Sequence, residues 1–314
     1  MQVLLIVAPV FALIAFGFLA ARSGLLSQQA HRGISEFAFG IAIPALLFRT
    51  IATAEGPGHA SLTIWAAYFG ATAITWLLAT LAGAKLLRRP ATDGAALAMS
   101  SVYGNIVMLG IPLALATFGE AAAAPMALIL SINTPLYWLA GTLHIGWAGR
   151  QSDTPVARVI VSLIIDLARN PIIIAIVAGG LWRLTPLVLP SAVEKTLQLL
   201  GQAGVPCALV ALGASLVNFR IKGQAPTLAM LLLLKLLVMP AIAWTLAFRV
   251  LHLPPVAAGV VILFAAMPAG ANAYLFATQY QRVVNSTSGA VALGTVLAAA
   301  TVTALISILP GGVR

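Results

Sequence analysis

Ten apolar runs occupy almost the whole chain, each close to the length that crosses a bilayer. They cover roughly 3–22, 33–53, 62–87, 94–117, 121–147, 170–184, 197–217, 226–251, 255–279 and 286–309. A helix needs about 20 apolar residues to cross the hydrocarbon core, whereas a transmembrane strand needs about ten in an alternating pattern. The runs are continuous, so the spans are helices. Only 8% of the residues are charged, against about a quarter in soluble domains. The chain reads as an all-α integral membrane protein. Only Met1 and Gln2 precede the first run. It lacks the basic flank of a signal peptide and is expected to stay as a mature span.

The net charge of +10 does not point to nucleic acid, because the basic residues lie in short connections and form no patch. Lysine and arginine concentrate on the cytoplasmic side of membrane proteins. With the first connection cytoplasmic, that side receives Arg22, Arg32, Lys85, Arg88, Arg89, Arg150, Arg158, Arg169, Arg220, Lys222 and Arg282. The other side receives Arg49, Arg183, Lys195, Arg249 and Arg314. The expected orientation is an inner-membrane protein with both termini periplasmic. A polar connection over 151–169 is the expected cytoplasmic hinge between two five-helix halves, 1–150 and 170–314.

The halves share short motifs in order. Pro44 follows Gly17 by 27 positions, and Pro206 follows Gly179 by the same 27. Ala73-Ile-Thr-Trp76-Leu-Leu-Ala returns as Ala241-Ile-Ala-Trp244-Thr-Leu-Ala, a shift of 168. Five spans is an odd number, so the second half enters the membrane inverted. The expected architecture is ten transmembrane helices in two inverted repeats.

Two runs are interrupted at their centres. The fourth carries Gly104-Asn105-Ile-Val-Met-Leu-Gly110-Ile111-Pro112, and the ninth Met267-Pro268-Ala-Gly270-Ala271-Asn272-Ala273-Tyr274. A broken helix frees backbone groups that lipid cannot satisfy, so such breaks persist only inside protein or beside a cavity. Matched breaks in two halves mark the binding site of secondary transporters. Half-helix N-termini carry partial positive charge, and an asparagine supplies both donors and acceptors. Two such segments crossing near the midplane make a polar site suited to an anion.

Other residues extend the candidate site. Pro44 and Pro206 are expected to kink the second and seventh spans. Lys235 lies deep in the eighth, where an ionisable group is a functional candidate that either meets substrate or bonds carbonyls freed by a break. Tyr103, Asn133 and Gln202 are candidate cavity-lining groups. Arg49 and Arg249 stand near span ends and are expected to snorkel. Glu36 is the best placed carboxylate for ion coupling, and His144 is expected to be a hydrogen-bonded packing residue. No metalloprotease, nucleophile-elbow or phosphate-loop motif is present, and Cys207 is the one cysteine. No catalytic set, metal site or cofactor is expected.

Asn105-x4-Gly110-Ile111-Pro112-Leu-Ala-Leu with Phe118-Gly119 resembles the fourth-span signature of the auxin efflux carrier family. Met267-Pro268-Ala-Gly-Ala-Asn-Ala-Tyr-Leu-Phe276-Ala277-x-Gln-Tyr280 resembles its ninth-span signature, and Asn170-Pro171 and Lys235-Leu-Leu-Val-Met-Pro240 fit the same family. The resemblance covers essentially the whole chain, and it is related in fold to the bile acid sodium symporters. It implies a scaffold of spans 1, 2, 6 and 7, and a transport domain of spans 3–5 and 8–10 whose fourth and ninth helices cross. By it, Gly104, Asn105, Ala271 and Asn272 occupy the crossing, substrate moves by an elevator-like shift, and the chain is a homodimer through the scaffold. Plant members carry prolines at the crossing, where Gly104 and Ala273 stand here, and a charged pair early in the third span, where Leu62–Leu78 has none. The expected function is secondary transport of a small organic anion such as a carboxylate. The alternatives are a sodium- or proton-coupled symporter and a ligand-binding sensor or channel.

Overall fold

The apolar runs are helices in the computed structural model, which describes residues 2–53, 62–149, 161, 165, 168–219 and 225–309. Most of the hinge expected at 151–169 lies outside the described residues. So do Arg150, Arg158, Asp166, Arg220, Lys222 and Arg314. In chain order the helices are α1 (Gln2–Arg22), α2 (Gln28–Ala52), α3 (Leu62–Lys85), α4 (Gly94–Val102), α5 (Ile111–Phe118) and α6 (Ala123–Gly149). The second half contributes α7 (Pro171–Arg183), α8 (Ser191–Leu216), α9 (Ala225–Val250), α10 (Pro255–Ala265), α11 (Ala271–Gln279) and α12 (Val284–Ile308). Among the described residues there is no strand, only one isolated antiparallel bridge.

Six stretches are long and apolar enough to cross a membrane: Gln28–Ala52, Leu62–Lys85, Ile106–Ala148, Ser191–Leu216, Ala225–Val250 and Val284–Ile308. The fourth and ninth runs each divide into two short helices, α4 with α5 and α10 with α11. At about 1.5 Å of rise per residue, none of these pieces spans the hydrocarbon core alone. The 13 residues of α7 are short as well. Its start follows from its sequence. Asn170 Oδ1 accepts the N–H of Ile172 at 2.9 Å and of Ile173 at 3.4 Å, and Pro171 fills the first helical position.

Three prolines widen the helix just before them. Five-residue π turns cover Ala38–Ala42, Ile106–Gly110 and Leu234–Val238, immediately ahead of Ile43-Pro44, Ile111-Pro112 and Met239-Pro240. Proline has no N–H, and its ring collides with the carbonyl four residues back. That carbonyl belongs to Gly40, Met108 and Leu236, each inside the π turn, where the wider coil moves it off the ring. Pro206 differs from its expected counterpart Pro44, since α8 runs as α-helix across it.

Packing sorts the helices into two groups. α1 runs along α8, α7 along α2, and α2 also packs on α8. Here glycine permits the approach. A methyl on Gly17 would overlap the Val210 carbonyl, one on Gly213 that of Ile14, and one on Gly179 would come within 2.9 Å of that of Phe48. The second group joins α3–α6 to α9–α12, with α4 buried along its whole length and α10 buried from Ala257 to Ala265.

Each end of the helical assembly has an ion cluster. At one, Asp93 lies 3.5 Å from Arg282 and 3.7 Å from Arg89, and Arg89 donates to Thr227 Oγ1 at 3.0 Å. At the other, Arg49 pairs with Glu120 at 2.7 Å and Glu194 at 3.3 Å. Arg49 therefore does not snorkel into the interface as expected, because two carboxylates from distant segments reach it first.

Gly213→Ala is expected to lower the unfolding free energy of the solubilised protein by about 1–3 kcal/mol, the usual range for overpacking. Gly33→Ala, where a methyl meets nothing within 4 Å, is expected to leave stability unchanged or slightly raised. Paired thermal melts in one detergent check both.

Candidate functional site at the paired helix breaks

The two breaks satisfy each other. The Asn105 N–H donates to the Pro268 carbonyl at 2.8 Å, and the Gly270 N–H donates to the Tyr103 carbonyl at 2.9 Å. These bonds flank an antiparallel bridge between Gly104 and Ala269. Glycine suits the close approach: a methyl on Gly270 would lie 3.2 Å from the Asn105 backbone, and one on Gly104 3.1 Å from Lys235 Nζ.

Asn105 also caps the helix it precedes. Its Oδ1 accepts the Met108 N–H at 3.3 Å, and its carbonyl accepts from Leu109 and Gly110. With the oxygen engaged, the amide presents its N–H groups. Asn272 is tied from the other break: its Nδ2 donates to the Tyr103 hydroxyl at 2.9 Å, which sits 2.6 Å from Thr134 Oγ1. The Tyr103 oxygen thus accepts from Asn272, and either hydroxyl can donate in its bond with Thr134. Asn272 is half-buried and Ala271 exposed, so the first turn of α11 is the open part of the break. The leading N–H groups of a helix have no intrahelical acceptor. The site is thus rich in donors, an arrangement that favours negatively charged oxygen.

Lys235 is 1% exposed. Its ammonium donates to the Ala265 carbonyl at 2.7 Å, at the C-terminal end of α10, and contacts Met239 Sδ at 3.1 Å. The last carbonyls of a helix are orphaned and carry partial negative charge, so a cation is well placed there. Lys235 closes the end of α10 and lies against Gly104.

The family described as membrane transport protein has a sequence profile that matches residues 2–306. The chain belongs to this family, the auxin efflux carrier family. It is 26% identical over 307 residues to a Rhizobium meliloti protein named "Putative malonate transporter", covering 98% of this chain and 96% of that one. It is also 22% identical over 284 residues to an uncharacterized transporter of Methanocaldococcus jannaschii, covering 88% and 89%.

For a member of this carrier family, the predicted residues divide in an informative way. Gly104, Asn105, Ala271, Asn272, Tyr103 and Lys235 gather at the breaks. Asn133 is buried beside the Tyr103 hydroxyl, with its Oδ1 unpartnered. Pro44 lies elsewhere, lining a cavity of about 380 Å³ with Gly40, Phe48, Pro171, Ile174 and Leu197 among α2, α7 and α8. Gln202 is exposed on α8, and Glu36 is exposed on α2. His144 accepts the Trp76 indole N–H at 3.0 Å.

The structure adds residues that the sequence does not flag. Tyr137 packs edge-on to Tyr103 with centroids 5.1 Å apart and shares a 2.7 Å hydrogen bond with Thr72. Tyr68 is fully buried with its hydroxyl unpartnered. Together with Thr134, these continue a polar seam from the break into the contact of α3 with α6.

Gly270→Ala forces the two segments apart against backbone atoms and is expected to lower stability by about 1–3 kcal/mol. Tyr103→Phe leaves Asn272 and Thr134 without their shared partner and is expected to lower it by about 1 kcal/mol. Gly180→Ala, which meets nothing within 4 Å, serves as the control in the same thermal melts.

Proposed function

We propose that this chain is a secondary carrier that binds a small organic anion, of the carboxylate class, where the two broken helices meet. The observation that carries the reading is the set of donors gathered there: the amide of Asn105, whose oxygen is already engaged, the open first turn of α11 with Asn272, and Lys235 behind Gly104. Broken helices at membrane depth are tolerated where they line a cavity, and their N-termini attract anionic groups. The name of the Rhizobium meliloti relative, "Putative malonate transporter", supports the carboxylate class.

In this reading α1–α6 and α7–α12 are inverted five-helix repeats that make ten spans, with the connection at 151–169 joining them. Reciprocal packing supports the symmetry, since α1 lies on α8 as α7 lies on α2. α1, α2, α7 and α8 form a scaffold that pairs two copies of the chain. The remaining helices form the transport body, which carries the site across the bilayer by an elevator-type shift. The ion clusters support the assignment of these residues to opposite sides, and the excess of basic residues sets the orientation. Arg89, Asp93 and Arg282 all fall on the side assigned as cytoplasmic, and Arg49, Glu120 and Glu194 on the periplasmic side, with both termini periplasmic in the inner membrane.

Proteoliposomes loaded with unlabelled malonate are expected to take up labelled malonate by counterflow. Asn105→Ala and Asn272→Ala are each expected to reduce that uptake at least tenfold, the loss expected when about 1.4 kcal/mol of binding is removed, while eluting and melting as folded protein. Wild-type rates in both variants would refute the site. Absence of counterflow with every carboxylate tested would refute the carrier reading.

A further inference from the structure

The two helix groups share one ion pair among those formed between described residues. Asp93, Arg89 and Arg282 all belong to α3–α6 with α9–α12 or to their connecting turns, so that cluster holds one body together. Arg49 differs. It stands in the last turn of α2, its partner Glu194 in the first turn of α8, and its other partner Glu120 in the turn between α5 and α6. Arg49 to Glu194 stays within one group, and Arg49 to Glu120 crosses to the other. The larger contacts between groups are helix on helix: α1 with α5 and α12, α8 with the π turn at Ile106–Gly110, and α6 with α2 and α7, and Phe219 just past α8 packs edge-on against Tyr274 of α11.

The exposures of the three side chains differ in a way that bears on release. Arg49 is 13% exposed, Glu194 42% and Glu120 62%. The Arg49 side chain is thus largely buried, with Nε unpartnered, while the Glu120 carboxylate is already largely in water. Separating the groups forfeits only an exposed ion pair, of small worth because Glu120 already faces solvent. It leaves Arg49 with Glu194, so the buried cation is never stranded.

We propose that Arg49 and Glu120 form a latch that holds the two bodies in the arrangement described here, and that Glu194, bonded to the other terminal nitrogen, weakens it by drawing on the same positive charge. The proposal rests on the carrier reading, in which the bodies move against each other. It assigns opposite effects to two carboxylates on one arginine. Removing Glu120 releases the latch, whereas removing Glu194 leaves Arg49 wholly to Glu120 and tightens it.

The test places spin labels at Thr53→Cys and Ala121→Cys, both exposed positions beside the latch, in a Cys207→Ser background. The distance distribution is then measured in proteoliposomes. Glu120→Gln is expected to enlarge the long-distance population about threefold, the scale that exposed ion pairs reach. Glu194→Gln is expected to shrink it by a similar factor. A distribution that neither substitution changes, or that both move the same way, overturns the latch. If malonate still shifts the distribution in those variants, the carrier reading survives that failure. If neither malonate nor any other carboxylate shifts it, the moving-body reading fails together with the latch.

Discussion

A main-chain N–H or C=O inside a bilayer has no water to turn to, and this constraint organises the molecule. Interrupting one helix frees several such groups at a depth where each costs a few kcal/mol. Here two interrupted helices answer one another. Asn105 donates to Pro268, Gly270 donates to Tyr103, and the end of α10 is met by the Lys235 ammonium. Neither break is satisfied without its partner. The burial of α4 and α10, the glycines at 104 and 270, and the cation in the middle of α9 all follow from that mutual dependence.

A fourth π turn, Thr245–Val250, precedes no helical proline, and the same constraint explains the other three. Each relieves a proline at the point where an ordinary helix would collide with itself, and two of the three lie beside the breaks, one containing Lys235 and the other leading into α5. The widened coil at Leu234–Val238 places Lys235 opposite Ala265 while Pro240 remains in the helix. Local backbone chemistry and the position of the buried charge are one arrangement.

Much of this was legible in the sequence, because the relevant signals are local. Gly-Asn and Pro-Ala-Gly-Ala-Asn inside apolar runs announce breaks, Asn170-Pro171 announces a helix start, and a lysine among leucines announces a buried cation. What stayed hidden depends on separation along the chain. Tyr68, Thr72 and Tyr137 look like ordinary members of apolar helices until folding brings α3 onto α6. Arg49 near a span end looks like a snorkelling residue, and only the meeting of three remote segments gives it two carboxylates. Pro44 and Pro206 look equivalent, yet one widens its helix and the other does not. Gln202 has a polarity that fits a cavity wall, but its face of α8 is exposed.

The bonds that join the breaks run from backbone to backbone. Their geometry is therefore indifferent to most side chains, provided that positions 104 and 270 stay small. In the carrier proposed above, architecture and selectivity are thereby written in separate alphabets. Amides, hydroxyls or apolar groups at 105, 272 and their neighbours can be exchanged without dismantling the junction on which they sit. A scaffold of this kind is open to changes of cargo over evolutionary time, because altering what is recognised does not require reinventing how the chain crosses itself.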